Sequence, residues 1–117
     1  MAFLYLAAYF EISMWNSLKR LLGLVEKIDL TPFIERGVDI LDVRTIQEFN
    51  EGHVPGSINI PLDEIHDRID EIRQLKSPVI ACCRTGRRSG IAANQLKKKG
   101  IEIYNGGGWQ EVADMMK

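Results

Sequence analysis

The residues best suited to do chemistry are concentrated in one segment, 79–89, which reads VIACCRTGRRS. An apolar strand delivers Cys83 into a short loop containing one glycine and three arginines, Arg84, Arg87 and Arg88, and a helix is expected to follow. This arrangement suits a reactive thiolate. Backbone N–H groups of such a loop can converge on the sulfur, and the helix N-terminus adds partial positive charge to that of the arginines. Both favour the charged form and predict a thiol pKa below the free-cysteine value of about 8.5. Gly86 supplies the permissive backbone angles a tight loop requires, and Thr85 or Ser89 can donate a hydroxyl hydrogen bond to the anion. Cys82 lies within the strand and points to the opposite face, as an inert buried thiol would. For Cys83 the inert reading is weaker, because three arginines beside it would be costly unless they paired with something.

Other chemistries find little support. Cys82 and Cys83 are adjacent, so they cannot staple distant segments, and His53 and His66 lie 13 positions apart without a matching pair for a metal. The chain has 117 residues, 45% hydrophobic and 26% charged, the profile of one compact domain. Its net charge of −1 hides an asymmetry: residues 1–72 carry 6 Lys/Arg against 13 Asp/Glu, and residues 73–117 carry 9 against 3. The basic clusters, Arg84 to Arg88 and Lys97 to Lys99, have no interleaved aromatics to stack on bases, which disfavours nucleic acid. A small anionic substrate drawn by the local field is the better expectation.

The elements that must position Cys83 follow from the apolar pattern. From residue 27 on, short apolar runs alternate with helical periods, which predicts an α/β domain with a parallel sheet and crossover helices. Strands are expected at 28–30, 38–43, 57–60, 79–83 and 101–104. Thr31 is expected to cap a helix with Pro32 at its first position, ended by Gly37, and Thr45 to cap a second through Phe49. Leu62, Ile65, Ile69, Ile72 and Leu75 define one face of a third, and a fourth should span 87–99 with Ile91, Ala92 and Leu96 inward and Gly100 at its end. Gly106, Gly107 and Gly108 read as a flexible turn before a terminal helix opened by Trp109. Residues 1–10 are apolar, and Ile12, Trp15, Leu18, Leu22 and Val25 share a helical face with Lys19 and Arg20 opposite. The apolar run is too short to span a bilayer. We therefore divide the chain into an apolar and amphipathic extension, 1–26, and a domain, 27–117; Met14 is a second candidate start. The extension is expected to pack on the domain, with membrane-surface contact or homodimerisation as the alternatives.

Three motifs in order resemble the rhodanese-like sulfurtransferases in their single-domain form: Leu41, Asp42, Val43 and Arg44 followed by Glu48 and Phe49; residues 52–61, GHVPGSINIP; and residues 83–89, CRTGRRS. The resemblance extends from about residue 28 to residue 116. It implies a central parallel sheet of about five strands flanked by helices on both faces. It also implies that Cys83 is the nucleophile, and that Arg84, Thr85, Gly86, Arg87 and Arg88 complete a six-residue loop, followed by Ser89, whose amides hold the sulfur. Asp42, Arg44 and His53 match motif positions, and we assign them supporting roles: Asp42 orients neighbouring loops, Arg44 pairs with Glu48, and His53 bonds nearby backbone. A thiolate already formed needs no general base.

The expected reaction is sulfane-sulfur transfer from thiosulfate or a persulfide to a thiol, cyanide or protein acceptor, with no metal or organic cofactor. Two alternatives are weighed. Cysteine phosphatases and arsenate reductases also cradle a thiolate, but in a Cys-x5-Arg loop, whereas Arg88 is only five positions after Cys83. A sulfur carrier or protein-interaction module would turn over free thiosulfate slowly. A reducing, cytoplasmic setting, with a location peripheral to a membrane as the alternative, suits a solitary low-pKa thiol.

Overall fold

The structure is a computed structural model that describes Met14, Trp15, Ser17, Leu18 and residues 28–117. Those four residues of the extension are helical; the remaining expectations for 1–26 lie outside the described residues. Its elements in chain order are α1 (Thr31–Glu35), β1 (Ile40–Asp42), α2 (Ile46–Glu51), β2 (Ile58–Asn59), two 3₁₀ turns (Leu62–Glu64 and His66–Arg68), α3 (Ile69–Arg73), β3 (Val79–Cys83), α4 (Arg87–Lys97), β4 (Ile103–Gly108) and α5 (Trp109–Met115).

The four strands form one parallel sheet in the order β2-β1-β3-β4. Alternation along the strands sends Ile40, Ile80 and Cys82 into one core and Leu41, Ala81 and Cys83 into another. The first core is closed by Leu30 and Phe33 beside α1 and by Val112 of α5; the second by Ile72 of α3 and by Ala92, Ala93 and Leu96 of α4. Helices therefore cover both faces, and all five positions of β3 are buried, as its continuous apolar run predicts. The chain leaves β1 for β2 on one side and later adds β3 and β4 on the other. The order reverses between β1 and β3, and the crevice beyond the C-terminal ends of strands at such a reversal is where open α/β sheets bind ligands. Asp42 ends β1 and Cys83 ends β3.

Several local expectations are corrected. The sheet has four strands among the described residues rather than about five, because residues 28–30 do not pair; Leu30 instead precedes α1. Thr31 is the first helical residue rather than the cap, and Asp29 Oδ1 accepts its N–H at 3.0 Å. The single helix expected over 62–75 is two 3₁₀ turns and a short α3. The apolar spacings there are 3, 4, 3 and 3, and a repeat of three is what a 3₁₀ turn satisfies. Helix α4 stops at Lys97, with Gly100 at φ +80° closing the turn, and Ile91 faces outward at 44% exposure. Residues 106–108 complete β4 rather than forming a free turn. A Cβ on Gly106 would lie 2.7 Å from Ile80 Cγ2 and 2.9 Å from Val112 Cγ2, so glycine there permits close packing of α5 on the sheet.

Candidate active site

Beyond β3 the chain turns sharply through 84–86 into α4, and Gly86 takes the left-handed conformation, φ +100°, that the turn requires. A Cβ there would also meet Gly107 Cα at 3.1 Å, so the loop and β4 touch backbone to backbone. The turn brings the Gly86 amide within 3.0 Å of Cys83 Sγ and the Ser89 hydroxyl, from the first turn of α4, within 3.4 Å. Cys83 itself is only 1% exposed, so its sulfur lies at the bottom of the loop.

These contacts set the protonation of the two thiols in opposite directions. Burial works against the Cys83 thiolate. The Ser89 hydroxyl and the backbone amides of Ser89, Thr85 and Gly86 outweigh it and hold the thiol below its ordinary value. Cys82 has no such donors: burial, reinforced by the Asp42 charge, pushes it up to about 12. The lowering thus comes chiefly from donors in contact with the sulfur, more than from the arginines invoked on sequence grounds.

Arg84 and Arg87 are exposed at the rim of the loop and form no ion pair among the described residues. Arg88 is different. Its guanidinium donates to both oxygens of Glu48, at 2.6 and 2.9 Å. Arg88 is the main cause that draws the Glu48 carboxyl down to about 2. Glu48 also closes the capping box of α2, accepting the Thr45 N–H at 3.2 Å while Thr45 Oγ1 accepts its own N–H at 3.2 Å. The expected pairing of Arg44 with Glu48 is therefore corrected: of Glu48, Arg44 reaches only the carbonyl, which accepts from Nη1 at 3.4 Å. Arg44 binds the buried Asp42 carboxylate through Nε and Nη2, the latter at 2.7 Å, and donates onward to the Gly52 carbonyl at 2.7 Å. Its guanidinium carbon lies 4.9 Å from the centre of the Trp109 ring. Asp42 and Arg44 thus tie the end of β1 to the end of α2 and to α5. His53 bonds the Phe49 carbonyl through Nδ1 at 2.7 Å and stacks on the Phe49 ring.

Sequence reasoning missed Asn105. Its Nδ2 donates to Gly86 O at 2.9 Å, and its Oδ1 accepts from Ser89 Oγ at 2.7 Å and from Gly107 N at 3.0 Å. One side chain on β4 therefore holds the loop and orients the hydroxyl beside the sulfur. Ser89 has a single hydroxyl proton: it can serve Asn105 while Cys83 is a thiol, and turn to Sγ when the sulfur is charged. The available signal was a lone polar residue between an apolar strand and three glycines.

The sequence profile of the Rhodanese-like domain matches residues 25–114. The chain is 38% identical over 68 residues to YrkF of Bacillus subtilis (strain 168), a protein named as a candidate sulfur carrier. That match covers 58% of this chain and 36% of YrkF, so the chain spans about a third of that relative's length. It is 36% identical over 75 residues to the thiosulfate sulfurtransferase PspE of Escherichia coli (strain K12), covering 62% of this chain and 72% of that protein. A solved structure of rhodanese with anions from E. coli superposes with a TM-score of 0.56 at 34% identity, over 64% of this chain and 91% of that one.

Proposed function

The chain belongs to the rhodanese-like domain family, and from that premise we propose that it moves sulfane sulfur, from thiosulfate or a persulfide to a thiol or cyanide, through a persulfide on Cys83. The observation that carries this reading is the pair of donors on Cys83 Sγ, the Gly86 amide at 3.0 Å and the Ser89 hydroxyl at 3.4 Å, which favour an anionic sulfur without a general base.

In the first step the Cys83 thiolate attacks the outer sulfur of thiosulfate. The new Cys83 S–S bond forms as the sulfur–sulfur bond of thiosulfate breaks, and sulfite leaves with the electron pair. The outer persulfide sulfur then sits about 2 Å further from the backbone, toward the loop mouth. Arg84 and Arg87, free of ion pairs among the described residues, would attract the anionic donor. The loop amides would stabilise the terminal sulfur, the electrostatic logic of an oxyanion hole. In the second step cyanide or a thiolate attacks that sulfur, the persulfide bond breaks, and its electron pair returns to Cys83. The phosphatase reading needs a free arginine clamp, whereas Arg88 is held by Glu48 through two bonds.

The test is thiocyanate production from thiosulfate and cyanide, with a mass spectrum of the reduced, thiosulfate-treated protein before cyanide is added. A gain of one sulfur mapped to Cys83, with turnover lost in Cys83→Ser, is expected. Sulfur gain with negligible turnover would favour a dedicated carrier. No gain from thiosulfate or from a persulfide donor would reject sulfur transfer.

A further inference from the structure

The buried positions of α4 are Ser89, Ala92, Ala93 and Leu96. Opposite them, Arg87, Ile91, Asn94 and Lys98 recur at intervals of four, three and four, and all are exposed. They form one stripe along the helix, starting at the Cys83 loop and running about 16 Å at 1.5 Å per residue. Residues 84–101 contain six Lys/Arg and no Asp or Glu. Only Arg88 among the six has an ion pair among the described residues, with Glu48. Arg84, Arg87, Lys97, Lys98 and Lys99 are exposed and concentrate positive charge along α4.

We propose that this face of α4 docks an acidic protein carrying the thiol that accepts sulfur from Cys83; the inference rests on the reading of Cys83 as a sulfur carrier. A thiosulfate-sized anion bonded to the sulfur can reach Arg84 and Arg87 at the near end. Three lysines at the far end of α4 are beyond its reach and suit only a larger partner. Ile91, at 44% exposure midway between the two cationic ends, offers an apolar anchor of the kind that occupies the middle of protein interfaces. Nucleic acid is the poorer fit, because residues 84–101 include no aromatic side chain on which a base could stack. The neighbouring segment over the same core carries exposed Asp63, Glu64, Asp67, Asp70 and Glu71, of which Glu64 and Glu71 pair with Arg68, so it bounds the basic stripe and confines an acidic partner to α4 itself. Docking also addresses the depth of Cys83, since a partner held on α4 can keep its thiol at the loop mouth where the outer sulfur is presented.

The test uses two synthetic peptides, each with one cysteine and one leucine, flanked in one by five glutamates and in the other by five glutamines. Binding to the full chain is read by fluorescence anisotropy, independently of sulfur loading. Transfer is read as a single turnover from sulfur-loaded protein, with dithiothreitol as the small-thiol control. At low salt the acidic peptide should bind and accept sulfur at least tenfold better, and the advantage should shrink as ionic strength rises. The exposed triple variant Lys97→Glu, Lys98→Glu, Lys99→Glu should abolish that advantage and leave transfer to dithiothreitol unchanged. Ile91→Ala should weaken binding of both peptides. Equal behaviour of the two peptides, an advantage that survives the triple variant, or tighter binding of a single-stranded oligonucleotide than of the acidic peptide would overturn the proposal. Failure to load sulfur on Cys83 would instead reject the sulfur-transfer reading, and the anisotropy result would still decide the docking surface.

Discussion

Replacing Ser89 with alanine isolates the side-chain contribution to Cys83. A hydrogen bond to a charged group contributes about 1.5–3 kcal/mol, and a neutral one about 0.5–1.5 kcal/mol. The Ser89 hydroxyl must leave Asn105 Oδ1, 2.7 Å away, to serve a thiolate at 3.4 Å, so the net preference for the charged form is the difference, about 1 kcal/mol. Its loss should move the Cys83 titration toward alkaline pH and reduce the thiolate population below the titration midpoint about fivefold. The fold should tolerate the change, because Asn105 Oδ1 keeps the Gly107 N–H and no buried polar atom is orphaned. The assay is the pH dependence of iodoacetamide alkylation, read at Cys83 by mass spectrometry. An unchanged or acid-shifted curve, with an unchanged melting temperature, would refute the assignment of Ser89 as a donor to the sulfur.

Cys82→Ala should leave alkylation and sulfur transfer within about twofold of the parent, at a stability cost of about 1 kcal/mol for the small cavity, measured by urea unfolding; the thiol it removes is buried and pushed up to about 12. Gly108→Ala would place a Cβ 2.9 Å from Arg84 O. It should lower sulfur transfer at least tenfold while costing about 1–3 kcal/mol of stability, as overpacking does, because relief requires the catalytic loop to move; parallel kinetics and melting curves check both. Glu48→Gln keeps a capping-box side chain and removes the charge that pairs with Arg88. Glu48 has a folded-state pKa of about 2, below its unfolded value of about 4.3, so its contribution is complete above about pH 4.3 and is lost as the pH falls toward 2. The variant should lose about 1 kcal/mol at pH 7, since the pair is half-buried and still partly screened by solvent, and the gap from the parent should close in melts taken between pH 4.3 and 2.

Much of the fold was legible because it rests on short-range patterns. The apolar run of β3, the Thr45 cap and the switch of periodicity after residue 27 each have a single satisfactory solution. The segment 62–75 was misread because side-chain spacing constrains which face is buried without distinguishing an α-helix from successive 3₁₀ turns when most intervals are three. Gly106, Gly107 and Gly108 were misread for a related reason. Glycine signals either freedom or close approach, and only the positions of Ile80, Val112 and Arg84 across the packed layers make the second meaning apparent.

At the site, the nucleophile was legible and its electrostatics were only half so. Counting arginines near Cys83 suggested three positive charges acting on the sulfur, yet charge number does not reveal pairing, and Glu48 is 40 positions away from the Arg88 it engages. What acts on the sulfur is a set of oriented donors, one of them held by Asn105 from another strand. That division has a chemical consequence. In the proposed transfer the negative charge moves from Sγ in the thiolate to the outer sulfur of the persulfide, about 2 Å further out, so the donors on Sγ would serve the first state and loop amides nearer the mouth the second. Arg84 and Arg87 at the rim, free of ion pairs among the described residues, would then act on the anions that the proposed transfer brings in and releases, while Arg88 is held by Glu48.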